Sequence, residues 1–273
     1  MNRLVVAIVS VLGIFIVLIS FGVKKIVIRE SSGLVEKIDS ENKESIFQLA
    51  RGYMDKNEYV KARDAFREFL KKFPAHENAP RAAEAIEDLN IKIIFSDIVD
   101  DKSVLYEIKP GDTLAKIASK YNTTVELIKK SNNLKTDLIY PGKKIKVNSA
   151  KFSILVDKTD NMLRLKRGEE IVKTYQVSTG RDFSTPVGTF KIEEKLVSPL
   201  WYKVGAVVSP DNPDYELGSR WMGLSEPEYG IHGTKDPATI GQHITNGCVR
   251  MRNAEVEELY AIVPSGTEVT IVE

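Results

Sequence analysis

Cysteine is almost missing from this chain: among 273 residues only Cys248 carries a thiol. That excludes an intramolecular disulfide framework and a cysteine-rich zinc site. An excess of either charge is also lacking, with 39 Lys and Arg against 38 Asp and Glu. A phosphate-reading surface normally makes a domain strongly basic, so the balance argues against a whole-protein nucleic-acid binder. Apolar residues make up 42%, too many for wholesale disorder. The length exceeds the usual ~100 to 200 residues of a domain, which implies roughly two domains plus further segments.

Residues 4–23 form an uncharged run, LVVAIVSVLGIFIVLISFGV, with Arg3 before it and Lys24 and Lys25 after it. Twenty helical residues at ~1.5 Å each match a hydrocarbon core of ~30 Å. A membrane-spanning anchor is the preferred reading. The other is a cleaved signal peptide, for which Ser20 and Gly22 supply a small-x-small site. No nearby cysteine offers a lipid attachment point. Positive charges flank both ends, so orientation depends on the nature of the downstream domains.

Residues 41–95 read as helices. Leu49, Ala50, Tyr53, Tyr59, Ala62, Phe66 and Phe69 recur at helical intervals, interrupted at Lys56-Asn57 and closed at Pro74. The spacing resembles a single tetratricopeptide repeat, with Ala62 as the small residue between two helices. A third helix near Ala79–Ile94 would cover the open face. One repeat is too few for a solenoid, so a helical spacer and a protein-docking module both stay open.

Over 104–147 the order strand, helix, helix, strand emerges. Asp112 is placed to cap a helix bearing Leu114, Ile117, Ala118 and Tyr121, and Thr123 or Thr124 opens a second with Val125, Leu127 and Ile128. Ser131-Asn132-Asn133 and Pro141-Gly142 make turns before a strand at Lys144–Val147. With Gly111-Asp112-Thr113-Leu114, Asn132-Asn133-Leu134 and Tyr140-Pro141-Gly142-Lys143, this segment resembles a LysM domain. The resemblance implies binding of N-acetylglucosamine-containing glycan. Nine Lys and Arg face four Asp and Glu here, a net +5, whereas 151–273 has 14 against 18, a net −4. The basic part would be drawn to an anionic wall or membrane surface.

From Lys151 the apolar period changes to two. Phe152, Ile154 and Val156 alternate, and Leu163 and Leu165 lead through Arg167-Gly168 to Ile171, a hairpin with one buried face. Glycines and prolines punctuate further short runs, and one late helix is expected from an Asn253 cap to about Val263. This part is mainly β.

Its chemistry lies in IHGTKDPATIGQHITNGCVRMRN. Acyl transfer on a thiol needs a nucleophile, a histidine to take its proton and aimed amides for the oxyanion. Cys248 and His232 supply the first two, and the amides around Gly247-Cys248 are natural oxyanion donors. Arg250, two residues on, shares a face with Cys248 if the backbone is extended, and would steady a thiolate or grip a substrate carboxylate. Asn246, Trp221 and Met222 are candidate substrate contacts. Trp201, Tyr202, Trp221 and Met222 fit groove walls or core equally. A zinc site of His232, His243 and Cys248 would consume the nucleophile, so no metal or cofactor is expected. His243 reads as a loop residue, and His76 lies in the helical segment.

Together with Val177-Ser178-Thr179-Gly180, Thr185-Pro186-Val187-Gly188-Thr189-Phe190, Leu217-Gly218-Ser219-Arg220-Trp221-Met222, His232-Gly233-Thr234 and Gly247-Cys248-Val249-Arg250-Met251, these residues make 151–273 resemble the L,D-transpeptidase catalytic domain. The resemblance implies acyl transfer on peptidoglycan stem peptides, with Cys248 as nucleophile, His232 as base and the Gly233 carbonyl orienting its ring. Many members carry histidine where this chain has Asn246, which cannot shuttle a proton. The whole then reads as a multidomain wall enzyme: membrane anchor, α-helical hairpin, βααβ LysM module and mainly β catalytic domain. It would face the periplasm or wall, or be secreted if 4–23 is cleaved. A hydrolase on the same fold and a non-catalytic wall-binding scaffold are the alternatives.

Overall fold

The computed structural model describes residues 43–203 and 206–273. The apolar run 4–23 lies outside them, and among the described residues no helix is long and apolar enough to cross a membrane. Residues 46–273 cluster as one unit, built around three large apolar cores and a small fourth cluster of Val208, Tyr215 and Leu217.

The first core belongs to helices α1 (43–55), α2 (Tyr59–Lys72) and α3 (Ala79–Phe95). Asn57 breaks the chain between α1 and α2 by adopting φ 58°, a left-handed conformation that asparagine tolerates better than most residues. Phe47, Ala50, Ala62, Phe66, Phe69, Ala82 and Leu89 fill the centre. Leu49, read as part of the buried stripe, is exposed; Phe47 turns inward instead and packs on Phe66 and Phe69.

The second core lies under a two-stranded antiparallel sheet, β1 (Ser103–Glu107) and β2 (Lys144–Asn148), and the helices α4 (Leu114–Tyr121) and α5 (Val125–Ser131). Thr113, not Asp112, caps α4, its hydroxyl accepting from Lys116 N at 3.2 Å. The Asp112 carboxylate instead takes Lys109 N and the Tyr106 hydroxyl, both at 2.8 Å, and ties the loop back to β1. Thr124 caps α5. The Asn132 amide clips both backbone groups of Lys146, at 2.7 and 2.8 Å.

The largest core is enclosed by an eight-stranded sheet. In chain order its strands are β3 (Ser153–Asp157), β4 (Met162–Arg167), β5 (Glu170–Gln176), β7 (Gly188–Val197), β10 (Arg220–Leu224), β11 (Gly230–His232), β13 (Val249–Arg250) and β14 (Glu268–Val272). They lie side by side as β13-β11-β10-β7-β14-β3-β4-β5. Two small pairs, β6 (Thr179–Gly180) with β12 (His243–Thr245) and β8 (Trp201–Lys203) with β9 (Ala206–Val208), come from the segments between its strands. Helix α6 (Asn253–Ile262) contributes Val256, Leu259 and Ile262 to the core. A register shift after Leu165 moves the alternation along by one, so Val172 and Tyr175 are buried and Ile171 is exposed, contrary to the simple hairpin reading.

Asn253 does not cap α6. The cap position is Arg252, while the Asn253 side-chain Oδ1 accepts from Ser219 N at 3.0 Å and Thr234 N at 3.1 Å. It thus fixes the approaches to β10 and the turn after β11. At the far edge, α3 lies along β5: Asn90 donates to Val172 O at 3.1 Å, and Glu87 accepts from the Thr174 amide at 3.0 Å. Lys146 also reaches across, donating to the carbonyls of Ile93 and Ser96 at the end of α3.

Candidate active site

Alternation along β10, β11 and β13 sorts their side chains onto two faces. Met222, Ile231 and Val249 point into the core. Trp221, His232 and Arg250 point the other way, and the ladders put them in one row: Trp221 opposite His232, and His232 opposite Arg250. Cys248, one residue before β13, comes level with Gly230 on the neighbouring strand, ~4.8 Å away. Met222, expected as a substrate contact, is 0% exposed; it is a core residue because it follows Trp221 by one.

The row is tightly packed. Trp221 stacks on the His232 ring with centroids 6.0 Å apart and 26° between planes. Gly230 makes room for the indole, since a Cβ there would meet it at 2.5 Å. His232 is 3% exposed, and its Nδ1 lies 2.7 Å from the Gly233 carbonyl oxygen. A carbonyl only accepts, so Nδ1 carries the hydrogen and Nε2 keeps its lone pair. Burial lowers the imidazole pKa to about 4; the Gly233 carbonyl opposes this and the Arg250 charge adds to it. The neutral ring is therefore the resting form.

Cys248 is half-buried, with Sγ 3.6 Å from the Glu228 carbonyl oxygen. Burial pushes the thiol pKa up, while the Gly230 backbone and the Arg250 charge pull it down by less. The residue lines a cavity of about 430 Å³ whose walls are Leu196, Pro199, Leu200, Trp201, Leu217 and Trp221, with Glu194 and Glu228 also lining it. Gly247 precedes it at φ 121°, against Tyr229. The Gly247 amide donates to the Thr245 hydroxyl at 3.1 Å, and that hydroxyl donates to the Cys248 carbonyl at 2.6 Å. This knot commits the Gly247 N–H to its own turn, so of the two amides expected to face an oxyanion it leaves that of Cys248.

Arg250 is 8% exposed and lines a different cavity, of about 540 Å³, together with Glu216 and Thr239. Its Nη2 lies 3.0 Å from a Glu216 oxygen and its Nη1 3.3 Å from the Thr239 hydroxyl. Asn246 is exposed beside the knot. His243 lies apart from the row, its Nδ1 on the Thr179 hydroxyl at 2.8 Å and its Nε2 3.3 Å from the Asn161 amide. His76 accepts from Asn78 N in the helical segment. The side chain of Tyr202 is not among those described. Among the described residues no cluster of three or more His, Cys, Asp or Glu could hold a metal ion. Glu194, Glu216 and Glu228 carry no sequence signal, since each is one surface acid among many until the fold assigns it a cavity.

The family model described as the L,D-transpeptidase catalytic domain matches residues 151–271, and that of the LysM domain matches 106–148. A protein of Bacillus licheniformis named "Putative L,D-transpeptidase YkuD" is 34% identical over 176 residues, which cover 62% of this chain and 98% of that protein. The chain belongs to the L,D-transpeptidase family. The Bacillus subtilis protein of the same name is 34% identical to this L,D-transpeptidase over 174 residues, covering 61% of this chain and 97% of the other. A second Bacillus subtilis protein, "Putative L,D-transpeptidase YqjB", is 38% identical over 125 residues, or 43% of this chain and 69% of its own. In this transpeptidase the Trp221, His232 and Arg250 row and Cys248 all fall inside the matched catalytic region.

Proposed function

We propose that the protein is a cysteine-dependent transpeptidase of peptidoglycan, taking its acyl group from a tetrapeptide stem. The observation that carries this reading is the sole thiol of the chain, Cys248, lining a largely apolar cavity one residue before the strand that pairs with that of a buried neutral histidine. As Sγ attacks the carbonyl before the terminal D-alanine, its proton passes to His232 Nε2 and the oxyanion meets the Cys248 amide. The C–N bond breaks, the imidazolium protonates the amine, and D-alanine leaves a thioester. An amine then attacks, gives its proton back to Nε2 and frees the thiol. Gly233 holds the ring in the tautomer this requires, Trp221 lines the cavity, and the exposed Asn246 would be a further substrate contact.

The LysM module would keep the enzyme on the glycan it modifies, raising the local concentration of stems. The run 4–23 would anchor the chain in the inner membrane with these parts outside the cytoplasm. The helical segment serves as a strut, since side chains of α3 bond to β5 and its last turn to Lys146. A partner protein would have to use its other faces.

Incubating the full-length protein with a tetrapeptide stem tests the reaction. D-Alanine release and an acyl mass on Cys248, both lost in Cys248→Ala, are expected. A folded wild-type protein giving neither would remove the enzyme claim, and transfer only to water would make it a hydrolase.

A further inference from the structure

The cavity beside Arg250 is built differently from the one beside Cys248. Its guanidinium is nine-tenths buried, and one edge of it is unsaturated. Glu216 touches only Nη2, at 3.0 Å, while Nε is buried without a hydrogen-bond partner among the described residues. A guanidinium binds a carboxylate best through two parallel N–H donors, so a single contact from a side chain 56% exposed is a weak use of a buried cation. Nη1 has one bond, to Thr239, and the neighbouring Lys235 ammonium reaches the carbonyls of Pro210 and Asn212.

We infer that this cavity reads the α-carboxylate of the amine side of the reaction, and that Glu216 holds the place of that carboxylate in the free protein. The inference rests on the transpeptidase reading. The acyl group, once bonded to Sγ, belongs to the cavity that Cys248 lines. Arg250 follows by two residues along the same face, ~6.6 Å in extended chain, and so stands beside the bond that breaks. The leaving D-alanine is an amine with a carboxylate on the adjacent carbon. By microscopic reversibility the attacking amine occupies the place the leaving one vacated. One guanidinium therefore serves both, and acceptors with a free carboxylate next to the amine are preferred over simple amines, amides and water.

The test compares two acceptors with the full-length protein and a tetrapeptide donor: a D-amino acid and its carboxamide. The carboxamide has the less basic amine, so more of it is unprotonated near neutrality and chemistry alone favours it. Wild type is expected to favour the carboxylate at least tenfold in kcat/KM. Arg250→Gln should collapse that ratio toward one, and Arg250→Lys should keep only part of it because ammonium offers no fork. Glu216→Gln, an exposed change, should raise the ratio by removing the internal competitor. A wild-type ratio at or below one, or an Arg250→Gln protein that slows both acceptors equally, overturns the inference while leaving the transpeptidase intact. No thioester and no D-alanine from wild type would instead mean that the transpeptidase reading has failed, and this inference with it.

Discussion

Alkylating the protein with iodoacetamide, a neutral reagent, across pH 5 to 10 reads the resting state of the Cys248 and His232 pair directly. The thiol lies above its ordinary 9.0 and the imidazole at about 4, both displaced first by burial. Moving the proton from sulfur to Nε2 in the free protein is then unfavourable, because burial opposes both the thiolate and the imidazolium. The resting pair is a neutral thiol and a neutral imidazole, not a thiolate–imidazolium pair. Nucleophilic attack and proton transfer must therefore proceed together, with the developing charge met by the Cys248 amide. Because the chain has one cysteine, the measured rate belongs to that site without mutation. The rate should climb about tenfold per pH unit from 6 to 9, tracking the thiolate fraction. A plateau of reactivity between pH 5 and 7, as an activated ion pair gives, would refute the reasoning.

Two further outcomes concern stability. Asn253→Ala removes the acceptor of two amides, those of Ser219 and Thr234, and should cost about 1 to 3 kcal/mol in urea unfolding; a loss under ~0.5 kcal/mol would mean that water replaces it. Lys146 and Lys195 both sit at about 8 in the folded protein against an ordinary 10.5, chiefly through burial. Below pH 8 folded and unfolded chains are equally protonated and the burial penalty is complete; between 8 and 10.5 the unfolded chain binds more protons, so stability rises with pH. Between pH 7.5 and 9.5 a gain of about 1 to 2 kcal/mol per lysine is expected, with Lys146→Met removing one share, whereas a flat or falling profile would contradict the burial of these cations.

The reacting residues were legible because they sit in one short stretch and because two-residue alternation relates Cys248 to Arg250. What failed did so where local pattern met a tertiary partner. Asn253 looked like a cap, being a short polar side chain before an apolar helix, yet its oxygen is taken by two distant amides. Asp112 and Thr113 are both good caps, and Tyr106 decided between them by drawing the carboxylate away. Ile171 and Val172 exchanged faces through a bulge that no local signal announced. Trp221 and Met222 were paired as substrate contacts although neighbours in a strand face opposite ways. The knot of Thr245, Gly247 and Cys248 was hidden because a hydroxyl that serves two backbone groups reads in sequence as an ordinary threonine.

The sheet ends unequally. At β13 the backbone of Ser178 exchanges both hydrogen bonds with Arg250, each at 2.8 Å, whereas at β5 the ladder continues without a further backbone: Asn90 and Glu87 of a helix satisfy the Val172 carbonyl and the Thr174 amide as a neighbouring strand would. Cutting the chain before residue 151 to isolate the catalytic part would strip that cover and leave a row of open donors and acceptors. Such a fragment has a route to pair with its own copies edge to edge, so the helices ahead of the LysM module guard solubility as well as geometry.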